Sequence, residues 1–197
     1  MPKCFKFEDR YRDETHNEVK VEFECVLKSE RCNAETKTGT RCRNNVVIGL
    51  PYCFIHTRTE LNLQIQESEI EGAGKGVFAH NPHADNGRVF KRGEFICEYL
   101  GEVLTADEVD ERYGHTLDTT APYVIQVSAN RFIDAACKRG VAGVINHSTT
   151  PNVEFYTYRN TIRCRAIKNI NHGTELKASY HGNYEFQDNH QTFSCRK

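Results

Sequence analysis

Cys32, Cys42, Cys53 and His56 are separated by nine, ten and two residues. Together they supply four soft or borderline ligands, enough to close a tetrahedral zinc site. The Cys53-x2-His56 pair lets two ligands from one turn grip the same ion. The longer intervals must fold back as loops, and Thr36-Lys-Thr-Gly39 and Gly49-Leu-Pro51 carry the turn residues for that. With all four positions filled the site is structural, which argues against a zinc-dependent hydrolase, since no position stays open for water. Arg31, Lys37, Arg41, Arg43 and Arg58 stand against a lone Glu35. That local charge is compatible with a weak nucleic-acid contact, and a solvated face on a structural zinc knuckle explains it equally. Further on, Gly72-Ala-Gly-Lys-Gly76 could bring backbone groups close to a ligand. It is not a dinucleotide fingerprint, because no strand-turn-helix unit follows.

The other elements must position these groups. The 197 residues suffice for one ordinary domain and a small appendage, and 38% hydrophobic with 10% aromatic content gives a folded core. A formal net charge of -1 provides no global attraction to nucleic acid or acidic membranes. No apolar run spans a bilayer, and the first ten residues lack a secretory apolar stretch, so an intracellular protein is expected, with no membrane partner. Nine cysteines, an odd count, then argue for reduced thiols over a disulfide framework. Cys4, Cys97, Cys137 and Cys164 read as small buried hydrophobes; Cys25 and Cys195 stay open.

Alternation in Val19–Leu27 predicts a half-buried strand, and strands are expected at 63–67, 76–79, 94–100, 123–127, 131–134 and 161–167. Thr105 with Glu108 three residues on forms a capping box, which predicts a helix running through Tyr113 and ending near Gly114. Residues 57–61 read as a polar bridge, and His80 to Val89 as a turn-rich surface loop. The boundaries that follow are 1–60 for an N-terminal region containing a zinc module at 31–56, and 62–197 for the main domain.

Four ordered blocks of that domain resemble the SET-domain protein lysine methyltransferases. They are Ile70-Glu-Gly-Ala-Gly-Lys-Gly-Val-Phe-Ala79; Phe90 to Thr105; Phe132-Ile-Asp-Ala135 leading to Gly143-Val-Ile-Asn-His-Ser148 and Pro151-Asn152; and Glu175-Leu-Lys-Ala-Ser-Tyr180. The resemblance implies a mainly β SET fold with a C-terminal pseudoknot, behind the small N-terminal zinc-binding module. It also implies a transferase that moves a methyl group from S-adenosylmethionine to a lysine amine, on histone tails by family frequency, hence at chromatin or in the nucleus. Gly74, Lys75 and Gly76 match the motif whose main chain holds the cofactor's methionine part. Asn146 and His147 match the pair contacting its amino group and adenine, and Tyr180 the catalytic tyrosine beside the transferring methyl. Tyr123 falls where the family has an aromatic lining the lysine channel, counted here as catalytic, and Phe155 near one that tunes methylation degree. Separately, Cys32 through His56 resembles a small cysteine-histidine module of large DNA viruses and some microbes.

The chain departs from the family pattern at Gly143-Val144, where many members have Arg-Phe, at Ser179, where many have Asp, and near Cys137 and Lys138, where a tyrosine is missing. The tail after Tyr180 holds only Cys195, too few thiols for the zinc cluster that closes the channel in many members. It does hold Tyr184, Phe186 and Phe193. Tyr184 is therefore expected to face the adenine or the channel mouth. The alternative is a degenerate SET domain serving as a zinc-tethered protein or nucleic-acid binding module. The chemistry favours the enzyme: a lysine amine with a reference pKa near 10.4 must lose its proton before attack, an apolar aromatic channel promotes that loss, and a fixed tyrosine hydroxyl can aim the lone pair.

Overall fold

The computed structural model describes residues 3–12, 18–114, 121 and 123–180. Two long strands, β1 (Lys3–Arg12) and β2 (Glu18–Leu27), form an antiparallel hairpin. Then β3 (Ser29–Arg31) and β4 (Asn45–Val47) pair around the cysteine segment, which runs into α1 (Phe54–Leu61). The expected polar bridge at 57–61 is thus the body of a helix. No residue of α1 is buried, so no apolar stripe announced it.

The main sheet has the order β5-β6-β16-β13-β14-β8, with β12 beside β16. Its members are β5 (Leu63–Glu67), β6 (Lys75–Ala79), β8 (Phe95–Glu98), β12 (Asn146–His147), β13 (Val153–Tyr158), β14 (Thr161–Ala166) and β16 (Glu175–Ala178). A second sheet, β10-β11-β9, uses β9 (Glu102–Leu104), β10 (Val124–Ser128) and β11 (Arg131–Asp134). β7 (Arg88–Phe90) pairs with β15 (Ile170–Asn171), so the expected surface loop at 80–89 ends in a short strand. β12 runs parallel to β16, Asn146 opposite Lys177 and His147 opposite Ala178. That pairing joins segments distant in sequence, as the threaded arrangement requires. Among the described residues no helix is long and apolar enough to cross a membrane.

α2 (Ala106–Tyr113) starts as the sequence predicts. The Glu108 amide donates to the Thr105 hydroxyl at 3.3 Å, and the Thr105 amide donates to the Glu108 carboxylate at 2.7 Å. The Thr105 amide and then its hydroxyl, both donating to the carboxylate, hold the Glu108 carboxyl below its usual range. Val109 and Tyr113 are its buried residues. At its far end Arg112 and Tyr113 donate to the fully buried Asp134 at 2.6 and 2.9 Å, and Arg112 also reaches Glu102 at 2.9 Å. Burial pushes the Asp134 carboxyl up, against the Ala136 amide and Arg112, which pull it down.

The hairpin is built into the same core. Phe7, Val21 and Cys25 are buried with the main-sheet residues, Phe7 stacks on Phe23 at 4.7 Å, and Phe23 meets Tyr113 edge-on at 5.4 Å. Cys25 is disulfide-bonded to Cys137. This corrects the expectation of reduced thiols: Cys137 is not a lone buried hydrophobe. Hairpin packing brings the two Cα atoms to 5.4 Å, inside the bridging range, a proximity that a 112-residue separation hides.

Asp134→Ala leaves Arg112 with Glu102 alone and removes the acceptor for the buried Tyr113 hydroxyl and the Ala136 amide, and should lower stability by about 2–4 kcal/mol, whereas Thr105→Ala should cost about 1 kcal/mol. Urea unfolding of the two variants checks this, and equal losses would contradict the role of Asp134 as the anchor of the far end of α2.

Candidate active site and metal centre

Three chain segments meet at the buried carboxyl of Glu175, which is 0% exposed. Its Oε1 accepts the Ser68 hydroxyl at 2.7 Å and the Asn146 amide at 3.0 Å, and its Oε2 accepts the Glu69 N–H at 3.0 Å. Asn146 Nδ2 lies also 3.1 Å from the Lys75 carbonyl and 3.0 Å from Ser68 Oγ. The glycine segment, the Asn-His pair and β16 therefore share one node. Gly76 is what lets them approach: a Cβ there would lie 2.1 Å from Glu175 Oε1 and 3.1 Å from Asn146 Nδ2. Its missing side chain makes room for the protein's own polar groups. Gly72 and Gly74, with φ of +76° and +71°, shape the turn between β5 and β6, and a Cβ on Gly72 would meet nothing within 4 Å. The Lys75 ammonium pairs with Glu67.

His147 and Tyr180 form the adjoining corner. The Tyr180 amide donates to His147 Nδ1 at 3.1 Å, the two rings lie 5.2 Å apart, and the Tyr180 hydroxyl donates to the Ile145 carbonyl at 2.7 Å. The parallel pairing of β12 with β16 aligns these groups. Tyr123 is reached through a residue that sequence reading did not single out, Tyr99. The Tyr99 hydroxyl donates to the Tyr123 carbonyl at 2.9 Å, and its ring meets Phe155 edge-on at 5.5 Å. Burial, then the neighbouring Tyr180 and Asp134, push the Tyr99 hydroxyl well above its usual pKa, so it is a permanent donor. Its signal was the two-residue step from buried Cys97, which carries Tyr99, just past the end of β8, to the same inner side. Glu175 and Ser68 were missed because each lone polar residue reads as surface. Tyr184, Phe186, Phe193 and Cys195 lie outside the described residues.

The four expected metal ligands come together. The ligand atoms of Cys32, Cys42, Cys53 and His56 all lie within 4.8 Å of one another, and the three thiols are buried. A tetrahedron with ~2.3 Å zinc–sulfur bonds puts its sulfurs ~3.8 Å apart, so the set fits zinc. α1 explains the short spacing: Cys53 is its N-cap and His56 sits in the first turn, 3.3 Å from Cys53 Sγ through Nδ1. The Cys53 and Asn44 amides donate to Cys32 and Cys42 sulfurs at 3.2 and 3.4 Å, and Asn44 Nδ2 to Cys53 at 3.4 Å. Burial works against the Cys53 thiolate, but the Asn44 and His56 bonds outweigh it and lower that thiol to about 6. Arg31 and Arg41 cross over the site. Arg31 donates to the Cys42 and Arg41 carbonyls at 3.0 and 2.6 Å, and Arg41 to those of Cys32 and Arg31 at 3.0 and 2.7 Å. Two of the five basic residues thus spend donors on bracing the loops.

The SET-domain profile matches residues 74–181, more than half of the chain, and the chain belongs to the SET-domain family. It is 31% identical over 176 residues to the Variant-silencing SET domain-containing protein of Plasmodium falciparum, covering 84% of this chain and 6% of that one. It is 31% identical over 162 residues to Histone-lysine N-methyltransferase SUV39H2 of Xenopus tropicalis, covering 76% and 36%. A chain of ctPRC2, from Chaetomium thermophilum, in an autoinhibited conformation bound to S-adenosylmethionine matches with a TM-score of 0.51 and 25% identity, over 75% of this chain and 17% of that chain. The chain spans less than two thirds of the length of these relatives.

Elemental analysis of the wild type should find about one zinc per chain. Cys42→Ser should lose most of it and unfold the module, because such a site contributes folding energy directly; full metal retention in that variant would contradict the ligand set.

Proposed function

We propose that this chain is an S-adenosylmethionine-dependent protein lysine N-methyltransferase, with histone tails the first substrate class to test and chromatin its place of action. The observation that carries the reading is the corner at Tyr180. Its hydroxyl is fixed on the Ile145 carbonyl and its amide on His147, one residue from Asn146 and its node at Glu175. The similarity to named histone-lysine methyltransferases supports it.

The cradle fits the cofactor. The turn at Gly72 is open on its outer side, and the node at Glu175 fixes Lys75, Asn146 and, through β12, His147. In this reading the main chain of Gly74, Lys75 and Gly76 holds the methionine part, Asn146 and His147 the amino group and adenine, and Tyr184 belongs to the same site. When bound, S-adenosylmethionine supplies a sulfonium-activated methyl carbon that takes the lone pair of a neutral lysine amine, the broken bond's electrons staying on sulfur and the amine's proton leaving to water. The chain's own contribution is placement. Tyr180, held at both its amide and its hydroxyl, keeps a fixed oxygen beside the reacting nitrogen, and near-attack alignment supplies much of the rate. Tyr99, Tyr123 and Phe155 supply an aromatic wall that disfavours the charged ammonium. Structural zinc at Cys32, Cys42, Cys53 and His56 organises a module at 31–56 ahead of the domain at 62–197. That module has the viral type of ligand spacing and is a candidate for weak nucleic-acid contact.

Histones incubated with the protein and isotopically labelled cofactor should gain methyl mass on lysine. Asn146→Ala should weaken cofactor binding at least about tenfold, equivalent to 1.4 kcal/mol, while Tyr180→Phe should lower turnover more than binding. A wild type that binds no cofactor by calorimetry would overturn the catalytic reading and leave the binding-module alternative.

A further inference from the structure

Arg139 lies where the family resemblance predicted nothing. Its guanidinium carbon sits over the Tyr123 ring, 3.7 Å from the centroid, where the ring quadrupole presents its negative face. Its Nε donates to the Ala135 carbonyl at 3.2 Å. Phe7 of the hairpin meets the same ring edge-on, at 6.1 Å. Tyr123 is only 9% exposed, so the ring is wedged between a cation and an aromatic edge. The segment carrying Arg139 is anchored two residues earlier by the Cys25–Cys137 disulfide.

Gly143 makes this placement possible. A Cβ there would stand 2.9 Å from Arg139 Cγ and 3.3 Å from Ala135 Cβ. The first distance is too short for real side chains, and because the contact is with the stem of Arg139, near its own backbone, the side chain would have to shift from its seat against the ring. The glycine that breaks the family pattern before Asn146 is therefore the partner of an arginine four residues upstream.

We infer that Arg139 is a fixed cation behind the Tyr123 wall of the lysine channel, there to select the neutral form of the incoming amine, and that Gly143 is required for it to lie there. The inference rests on the methyltransferase reading. A positive charge in the wall opposes a second one inside the channel, and a ring whose face already binds a guanidinium attracts an ammonium less. The amine must be neutral to attack, so excluding its charged form favours reaction. The ionisable neighbours are consistent with this role. The Tyr99 hydroxyl feels both Tyr180 and Arg139, which act on it in opposite directions. The Asp134 carboxyl on β11 is engaged by Arg112 of α2, with Tyr113 on the same oxygen. Lys138 is directed at Gly49 of the zinc-module loop. Arg139 is a positioning and electrostatic residue; it makes no bond to the reacting atoms.

The test is the pH dependence of kcat at saturating peptide, which reports groups in the bound complex. Arg139→Gln should move the apparent pKa of kcat up by about one pH unit and lower kcat about tenfold at neutral pH, with the rates converging in alkali. Arg139→Lys should keep the wild-type profile. Gly143→Ala, which retains every ionisable group, should shift the profile in the same direction as Arg139→Gln and decides the matter if that variant fails to fold. A role in packing alone would lower the plateau without moving the pKa, and that result overturns the inference while leaving the methyltransferase reading intact. A wild type that transfers no methyl to any lysine overturns both.

Discussion

A carboxyl buried at zero exposure needs donors, and Glu175 obtains them from two other parts of the chain, 106–107 residues and 29 residues away. This satisfaction rule fixes much of the site. A buried acceptor left without partners costs about 1–3 kcal/mol, more when charged. The Ser68–Gly76 turn, Asn146 and β16 are consequently locked to one another. Around the node the backbone follows suit: Asn152 Nδ2 donates to the Glu175 carbonyl at 2.7 Å, and the Lys177 amide to Asn152 Oδ1 at 2.8 Å. The strand that carries Glu175 ends two residues before Tyr180. Position at the node is thereby passed to the tyrosine.

Outside that node the chain uses three different fastenings for its periphery. The module at Cys32 to His56 has a small core of its own, made of Cys32, Ala34, Cys42 and Cys53. So little apolar surface cannot hold a fold in water, which is why four ligand atoms converge there. The hairpin, by contrast, buries Phe7 and Val21 in the main core and adds a disulfide. α2 is held by the Asp134 pair at one end and its capping box at the other. The hairpin and α2 meet at Tyr113 and Tyr123, through Phe23 and Phe7, so elements remote in sequence buttress the aromatic wall.

What the sequence disclosed follows from how local each signal is. The capping box at Thr105 and Glu108, the alternation of β2 and the zinc spacing are short-range patterns, and each was legible. The four SET blocks were legible as motifs, and their order was enough to predict a mainly β fold. Helix α1 was not, because Phe54 and Ile55 are 64% and 53% exposed and its residues show no apolar stripe. Glu175, Ser68 and Tyr99 are polar or amphipathic groups whose importance depends on tertiary neighbours. Arg139 and Gly143 were visible as residues, and Gly143 as a departure, but only the fold reveals that one occupies the room the other leaves. The Cys25–Cys137 pair escaped because composition speaks of compartments and not of proximity.

The Glu175 carboxyl joins separate segments into the site proposed for the cofactor. Glu175→Gln tests it most directly, since the amide keeps the shape but places a donor among the Ser68, Glu69 and Asn146 donors. Calorimetric titration of S-adenosylmethionine into this variant, with zinc content measured in parallel, should show affinity reduced by at least about tenfold, or 1.4 kcal/mol, at an unchanged zinc content. Wild-type affinity in Glu175→Gln would contradict the account.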